Sequence, residues 1–476
     1  MDGPYRVRAD SEQSRDVHAC ELVRPAVIIP ELTIQGYDRT LRAVAGSEAA
    51  LRDYGAMMSS LGLNGSEDGG SDVPFKTRLM PTTLLPRPFP REQFDYVYHA
   101  SAVMVRLIDT AAVDSAWIGD RVSTAPSLDR RLVDTWRQVY LEGRGRYEDQ
   151  IRLHLMRLDY SPGAPSGPSA SLKAVHVTPE LATAAQRVSC LHHMTTLTSA
   201  LNKIGQCELP DNKTANEIAT AMAEAVRLYN ERYHRSSRDV CIVRNAKSGT
   251  AAGSGLIEAA LLVNHALASH RRTVEELMRD VQVDEQSRVV RLVRPLDPAR
   301  TVEVALVYYE SPGYDFDDEA AWTVRRALEE SLAVTSPSIP LQLLGQPELQ
   351  LLWRGDERLR SALRFDEHSP EDLSKCLAVL QDTSSGPLVP SGMPCAAVDV
   401  ELSSKEGRVV SKVVEDTECA VGIFSCLVMN GMEVAFDRTA GHVLRTFGDD
   451  LSEPLIDTAL LTPRDITEDG SDSVVE

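Results

Sequence analysis

An arginine near the end of a predicted β-hairpin is the side chain with the clearest chemical use. Residues 421–428 and 432–436 have the patterning of two strands, and Asn430-Gly431 between them is a strong hairpin signal. Arg445 follows the second strand, just past the expected edge of the sheet. An isolated guanidinium there can hold a carboxylate through two parallel hydrogen bonds. The competing interpretation is an ordinary ion pair.

A loop of small residues offers a second possible site, for an anion. Lys247, Ser248, Gly249, Thr250 and Gly253 lie between a predicted strand and a predicted helix. Backbone N–H groups bind phosphates at such positions. The spacing matches neither the P-loop nor the G-x-G-x-x-G pattern, so close packing of strand against helix is the alternative interpretation.

Other common catalytic patterns are missing from the sequence. The eight cysteines show no C-x-x-C or Cys/His spacing, and His154 and His192-His193 have no third ligand at a recognisable spacing. No G-x-S-x-G occurs, so nothing favours a serine nucleophile. We therefore predict no metal site, and we expect the cysteines to be reduced thiols that are mostly buried.

The elements that must position these residues predict a mixed α/β (α+β) fold. Apolar residues recur at helical spacing over residues 94–108 and 128–140, which indicates a helical N-terminal layer. Two predicted strands, residues 151–160 and 172–178, fit an antiparallel pair. From Asp239 the order becomes strand, loop, helix and strand, which is typical of an open, largely parallel sheet with helices on its faces.

Composition and charge exclude several kinds of partner. The net charge is -20 and no clustered cationic face is expected, which argues against nucleic acid. No apolar run approaches the ~20 residues of a membrane span. The first twenty residues contain Asp2, Asp10, Glu12 and Asp16 and lack the apolar core of a secretory signal. We expect a cytoplasmic protein, although the sequence leaves organellar import open.

Four segments, in the same order along the chain, resemble the eukaryotic-type glutathione synthetase family, which is related to the ATP-grasp enzymes. They are LHLMRLDY (residues 153–160), residues 303–314, residues 322–345, and residues 421–446 with GIFSCLVMN and GHVLRT. The resemblance extends over roughly residues 30–462. It implies a degenerate ATP-grasp fold with a parallel-sheet substrate domain.

The family joins γ-glutamylcysteine to glycine with ATP and Mg²⁺ through an acyl phosphate, and this chain departs from the residues that bind the nucleotide and the metal. His176, Val177 and Thr178 stand where the family has the metal-binding motif E-I-N-T. The glycine-rich loop expected near Val389 is missing, and only residues 401–407 stand where the family has a lid. We therefore expect no cofactor, neither ATP nor Mg²⁺, and no catalytic residue.

Substrate-binding positions are better retained. Arg157 and Asp159 match the arginine and aspartate of the family motif N-R-S-D-Y, and Tyr314 and Arg445 match a family tyrosine and arginine. The resemblance implies that these four residues bind substrate. Glu310 is a departure, because the family has an arginine there.

Three functions follow as hypotheses. The first is a catalytically inactive scaffold or interaction subunit, in a homo- or hetero-oligomer. The second is an active ATP-dependent ligase in which Glu180 or Glu401 replaces a lost metal ligand. The third is a sensor in which Arg157, Tyr314 and Arg445 hold glutathione or a γ-glutamyl peptide without turnover.

The domain organisation predicted from these patterns has four parts. Residues 1–30 form a mobile N-terminus and residues 463–476 an acidic disordered tail. Residues 31–236 and 341–462 form the ATP-grasp-derived core without its lid, and residues 237–340 form an α/β domain of substrate-binding type.

Overall fold

A computed structural model provides the structure of most of the chain. It describes residues 41–61, 63–66, 77–125, 127–143, 147–162, 170–198, 208–244, 255–294, 297–310, 319–362, 376–380, 390–401, 408–448, 451 and 454–462. The segments predicted to be a mobile N-terminus and a disordered tail, residues 1–30 and 463–476, lie outside these residues. The division into domains stays a prediction.

Helices within the described residues pack against both of the larger β-sheets. They are α1 (Glu48–Ser60), α2 (Arg91–Val113), α3 (Ser115–Thr124), α4 (Arg130–Trp136), α5 (Ala182–Thr198), α6 (Thr214–Tyr233), α7 (Gly255–His265), α8 (Val274–Asp280), α9 (Glu319–Glu329), α10 (Ile339–Leu344), α11 (Pro347–Gly355) and α12 (Glu357–Ala362). There are also three short helical turns: a π-helical turn at Arg137–Leu141 and 3-10 turns at Tyr147–Asp149 and Ala378–Leu380. Residues 41–45 are also helical.

Both predicted apolar stripes of the N-terminal layer are confirmed. Phe94, Val97, Met104 and Ile108 are buried along α2, as the helical spacing predicts. The N-cap of the next helix, α3, is Asp114, whose carboxylate accepts a hydrogen bond from the Trp117 backbone N–H at 2.9 Å.

Seventeen strands in the described part of the chain form two larger sheets and two small pairs. They are β1 (Asn64–Ser66), β2 (Thr77–Leu79), β3 (Thr82–Thr83), β4 (Arg87–Pro90), β5 (Ile151–Pro162), β6 (Ala170–His176), β7 (Asp239–Val243), β8 (Ala268–Arg272), β9 (Val281–Val283), β10 (Val290–Arg294), β11 (Asp297–Tyr309), β12 (Val334–Ser336), β13 (Pro390–Glu401), β14 (Arg408–Asn430), β15 (Glu433–Phe447), β16 (Leu455–Asp457) and β17 (Ala459–Thr462). Strand β1 pairs with β2, and β17 pairs with β4.

The seven-stranded sheet has the order β13-β3-β16-β15-β14-β5-β6. The predicted antiparallel pairing of β5 with β6 is confirmed. Alternate side chains of β5 enter the two apolar clusters on opposite faces of this sheet: Leu153 and Leu155 pack into one, Met156 and Leu158 into the other. The centre of the sheet is therefore buried on both sides.

The six-stranded sheet has the order β8-β7-β11-β10-β9, with β12 also paired to β11. The pairs β7–β8, β7–β11 and β11–β12 are parallel, as the alternation of strand and helix predicts. Strands β9 and β10 are antiparallel additions, because β9, β10 and β11 follow one another through short connections without a crossover helix.

The predicted position of Arg445, beyond the sheet edge, is wrong. Arg445 lies inside β15, where it pairs with Ala420 on one side and Ile456 on the other. The hairpin itself is confirmed, and Gly431 adopts a φ of 63° at its turn. The pairing of β15 with β14 continues beyond a register shift at Phe424/Ser425. The second strand of the hairpin is therefore about ten residues longer than the apolar run from which it was predicted.

Candidate ligand-binding site

Asp159 is the centre of a cluster of charged side chains on β5, β6 and β15. Its two carboxylate oxygens accept hydrogen bonds from Arg157 Nε at 2.9 Å and Arg157 Nη2 at 3.2 Å. His176 Nε2 lies 3.0 Å from Asp159 Oδ2, and Arg445 Nη1 lies 3.4 Å from the same oxygen. Because a carboxylate only accepts hydrogen bonds, His176 Nε2 carries the proton.

The register of the sheet brings these residues together. His176 is the residue opposite Arg157 in the β5–β6 ladder, and Gly422 of β14 lies opposite Asp159. A Cβ atom at Gly422 would lie 2.7 Å from Asp159 Oδ1 and 3.1 Å from Arg157 Cδ. Glycine at this position therefore leaves the space that the Arg157–Asp159 pair occupies.

Burial differs within the cluster and determines its charge. The side chains of Arg157 and Asp159 are buried, whereas those of His176 and Arg445 are 29% and 26% exposed. Burial by itself would raise the pKa of Asp159, but the hydrogen bond from His176 and the charge of Arg157 hold it below its usual value. The carboxylate is therefore ionised at neutral pH.

Arg445 has the most accessible permanent charge of the cluster. Burial lowers the pKa of its guanidinium and Asp159 acts in the opposite direction, so the group stays charged at neutral pH. Arg157 has fewer donors left for a ligand, because its Nη1 also donates a hydrogen bond to the Glu180 carbonyl oxygen at 3.0 Å. A ligand carboxylate would meet Arg445 first.

The end of β6 does not fit the magnesium ion and nucleotide that the family resemblance implies there. His176 directs its ring nitrogen to Asp159, and Thr178 is fully buried. Val177 packs so closely on Gly345 that a Cβ atom at Gly345 would lie 2.6 Å from Val177 Cγ1. Magnesium prefers an octahedron of oxygen ligands, whereas this segment offers an imidazole, an apolar side chain and a buried hydroxyl.

Potential metal ligands are also scattered elsewhere in the described ranges. Among them, no group of three or more His, Cys, Asp or Glu side chains could hold a metal ion. In that same part of the chain, no helix is both long enough and apolar enough to cross a membrane.

Strands β13 and β14 are direct neighbours in sequence and in space. Glu401 pairs with Arg408, so the connection between the two strands consists only of residues 402–407. Six residues is an ordinary length for the connection between two neighbouring strands.

Three of the four residues matched to the family's substrate contacts lie together: Arg157, Asp159 and Arg445. Tyr314 and the possible anion-binding loop (Lys247, Ser248, Gly249, Thr250 and Gly253) lie outside the described residues. The binding roles of all these residues stay predictions.

His176 is a member of the cluster that the sequence reasoning did not include among the site residues. A signal for it exists in the sequence, because an antiparallel pairing of residues 151–160 with 172–178 places its strand beside Arg157 and Asp159.

A second charged cluster lies on the opposite face of β5 and is structural. Arg152 forms two hydrogen bonds with Asp109, at 2.8 and 2.9 Å, and His154 Nε2 lies 2.6 Å from the same carboxylate. All three residues are buried. They join α2 to the sheet and are not accessible to a ligand.

Comparison with known proteins identifies relatives of this fold and sequence. The model of a family described as eukaryotic glutathione synthase, ATP binding domain, matches residues 49–376. The chain is 26% identical over 335 residues to the chloroplastic glutathione synthetase of Arabidopsis thaliana, covering 69% of this chain and 59% of that protein. It is 26% identical over 279 residues to the glutathione synthetase of Rattus norvegicus, covering 57% and 55% of the two proteins.

A solved structure has the same fold. It is a glutathione synthetase-like effector from Globodera pallida in its apo form, with a TM-score of 0.64 and 15% sequence identity, and the match covers 89% of this chain and 99% of that one. The mixed α/β, ATP-grasp-related fold expected from the sequence is thereby confirmed. The chain spans between about half and three-fifths of the length of the first curated relatives that it matches.

Proposed function

The chain belongs to the eukaryotic glutathione synthase family, and from that premise we propose that it is a member without the ATP-dependent ligase reaction that acts as a scaffold or interaction subunit. Forming an acyl phosphate requires oxygen ligands for Mg²⁺, cations around the phosphates and a lid that excludes water. The observation that carries the proposal is the filled end of β6, where His176 is bonded to Asp159 and Val177 is packed on Gly345.

The short connection between β13 and β14 supports the same proposal. Only six residues, 402–407, connect these strands, which is too short for an additional lid domain that would keep water from an acyl phosphate. The seven-stranded sheet nevertheless has a buried apolar cluster on each of its two faces, as a stable scaffold requires.

Titration calorimetry with ATP and Mg²⁺ tests the proposal directly. We expect no binding in the micromolar range, with or without γ-glutamylcysteine and glycine, and no release of phosphate above the buffer rate. The rat glutathione synthetase serves as the positive control, and circular dichroism shows that the titrated protein is folded. Micromolar binding of the nucleotide or steady release of phosphate contradicts the proposal.

If phosphate is released, the alternative of an active ligase with replaced ligands makes its own prediction. Glu180 and Glu401 are the carboxylates nominated as replacements, and Glu180 lies close enough to the cluster to influence the pKa of Arg445. Glu180→Gln or Glu401→Gln should then abolish the activity. Activity that survives both substitutions counts against this alternative.

A second candidate function, a sensor of glutathione or a γ-glutamyl peptide, is favoured by the half-buried Arg445. Arg157 and Asp159 fix its surroundings, and its side chain still reaches solvent. Thermal unfolding with millimolar glutathione tests this idea, because a ligand at 100 times its Kd adds about 2.7 kcal/mol of stability.

The variant Arg445→Met should lose the shift in Tm that glutathione produces. Arg438→Met is the matched control, since it removes an arginine from the same strand whose side chain is mainly exposed. An absent shift in the wild type, or a full shift in Arg445→Met, removes the sensor hypothesis.

A further inference from the structure

The candidate ligand-binding site contains an Asp–His pair whose imidazole reaches solvent. His176 donates its Nε2 proton to Asp159 Oδ2 at 3.0 Å, so the neutral tautomer leaves a free lone pair on the other ring nitrogen, Nδ1. Within the described residues, no group donates a hydrogen bond to that nitrogen. The side chain of His176 is 29% exposed and that of Asp159 is 6% exposed. We call these two residues the Asp159–His176 dyad.

The pleat of the two strands determines which part of the dyad is accessible. Val175 and Val177, on either side of His176 in the chain, are buried in one apolar cluster, so the imidazole lies on the opposite face of the sheet. Leu158 of β5 enters the same cluster, and its neighbour Asp159 therefore shares the face of His176. The buried carboxylate orients the ring, and the imidazole is the part that a ligand or a water molecule can reach.

An imidazole held in this way has the arrangement of a general base. Its free nitrogen can take a proton from water, while the carboxylate fixes the tautomer and stabilises the imidazolium that forms. A positioned base of this kind contributes roughly 10²–10⁴-fold to a rate. The dyad can therefore support chemistry that needs only an activated water molecule.

Arg445 gives the dyad an anchor for an anionic substrate. Arg445 Nη1 and His176 Nε2 lie 3.4 and 3.0 Å from the same oxygen, Asp159 Oδ2. The guanidinium carbon of Arg445 is also 5.1 Å from the centre of the Phe447 ring, which helps to fix its orientation. A carboxylate bound by Arg445 would hold a carbonyl group a few bonds away next to His176, and such positioning favours reaction.

A second accessible Asp–His pair, on the six-stranded sheet, offers a comparison. His270 Nε2 lies 2.6 Å from Asp239 Oδ1, and the two side chains are 19% and 20% exposed. Within the described residues, no arginine or lysine forms an ion pair with Asp239. This second pair therefore provides a base without an anchor for an anion.

From this geometry we infer that the Asp159–His176 dyad catalyses the hydrolysis of a thioester whose acyl group carries a free carboxylate. Arg445 binds the carboxylate. His176 Nδ1 takes a proton from water as the water oxygen bonds to the carbonyl carbon. The carbon–sulfur bond then breaks, and the thiolate leaves with the proton that the imidazolium returns. The products are a dicarboxylic acid and a thiol.

The class of leaving group follows from what the dyad can supply. It provides a base and no covalent nucleophile, so the leaving group must depart readily, as a thiolate does and an amine does not. The reaction consumes only water. The inference therefore goes beyond the proposed function, since it involves neither ATP nor the ligase reaction.

Hydrolysis of two matched thioesters by the full-length protein tests the inference. The probes are the glutaryl and the pentanoyl thioesters of thiophenol, which differ in having a carboxylate or a methyl group at the end of the acyl chain. The absorbance of the released thiol, corrected for the rate in buffer, gives kcat and KM. We expect kcat/KM to be at least about tenfold higher for the glutaryl probe, because only this probe can bind Arg445.

Two substitutions should affect different kinetic constants. His176→Gln should lower kcat for the glutaryl probe by roughly 10²-fold or more, and should remove the rise of kcat between about pH 5 and 8. Arg445→Met should mainly raise KM and abolish the preference for the glutaryl probe. His270→Gln is the matched control, because it removes the imidazole of the second Asp–His pair, and it should leave both constants unchanged.

Thermal unfolding shows whether each variant is folded. If His176→Gln does not fold, the pH profile of the wild type and its preference between the two probes still decide the question. Equal rates with the two probes, wild-type hydrolysis no faster than in buffer, or full activity of a folded His176→Gln variant overturns the inference. Since the assay contains no ATP, such a result leaves the proposed function untouched.

Discussion

Asp159 holds three positively charged or proton-donating side chains with one carboxylate. Both of its oxygens are used by Arg157, and one of them is shared with His176 and Arg445. Without that carboxylate, two guanidinium groups would share a largely buried space with no counter-charge. The arrangement of the whole candidate site therefore depends on a single residue.

Replacing Asp159 with asparagine should destabilise the protein by about 3 kcal/mol, because the buried Arg157 loses its partner. The measurement is urea unfolding at neutral pH, followed by circular dichroism. Asp297→Asn removes the carboxylate from the exposed Arg300–Asp297 pair and should change the free energy of unfolding by less than about 0.5 kcal/mol. Equal changes in the free energy of unfolding would show that the Asp159 cluster contributes no more to stability than an exposed ion pair.

Single strands and helices were predictable where one period of apolar residues dominates. The LHLMRLDY strand, its antiparallel partner and the α2 stripe follow from alternation or helical spacing alone. The hairpin turn was predictable because Asn430-Gly431 has few other uses. Part of the candidate site was therefore predictable as well, because Arg157 and Asp159 lie on a strand that the sequence identifies.

The parts that the sequence could not supply depend on contacts between distant segments. The sequence predicts Arg445 beyond the sheet edge, because a bulge and a polar stretch hide the continuation of β15. The partners Asp109 and Arg152 are 43 residues apart, and His192 and Asp457 belong to helix α5 and strand β16. No local pattern links such pairs, because only the folded sheet brings them together.

Two glycines on regular elements give opposite predictions for the same substitution. Gly422→Ala should destabilise the protein by about 1–3 kcal/mol, because the new methyl group would lie 2.7 Å from Asp159 Oδ1 and 2.9 Å from Val443 Cγ1. Gly355→Ala, in α11, meets nothing within 4 Å and should be neutral or stabilising by up to about 1 kcal/mol. Thermal unfolding of both variants measures the difference, and similar changes in Tm would contradict it.

Across the whole molecule, the helical layer over the seven-stranded sheet covers several buried ionisable groups. His192 and His442 are buried, and burial lowers the pKa of His192 to about 4 and that of His442 to about 3. The nearby Asp457 is buried as well, and burial raises the pKa of its carboxyl group to about 7. His192 Nδ1 lies 3.8 Å from Asp457 Oδ1.

These groups affect stability in opposite directions as the pH changes. Below about pH 6.5 the unfolded chain takes up protons on both histidines while the folded chain does not, so they reduce stability as the pH falls. Asp457 acts the other way: between about pH 4 and its folded value, the folded chain holds a proton that the unfolded chain has lost. Its contribution to stability is therefore lost as the pH rises through about 7.

Asp457→Asn should separate the two effects. An amide cannot ionise and still offers an oxygen to the Thr458 backbone N–H, which lies 2.6 Å from Asp457 Oδ1. The stability advantage of the variant over the wild type should therefore be roughly 2–3 kcal/mol larger at pH 8 than at pH 5, because the unfolded wild type is already ionised at pH 5 whereas the folded wild type loses its proton only near pH 7. Urea unfolding of both proteins at the two pH values measures this difference. Since the histidines are unchanged, both proteins should still lose stability toward pH 4, and a gain at pH 8 no larger than the gain at pH 5 would show that Asp457 is ionised in the folded chain throughout this range.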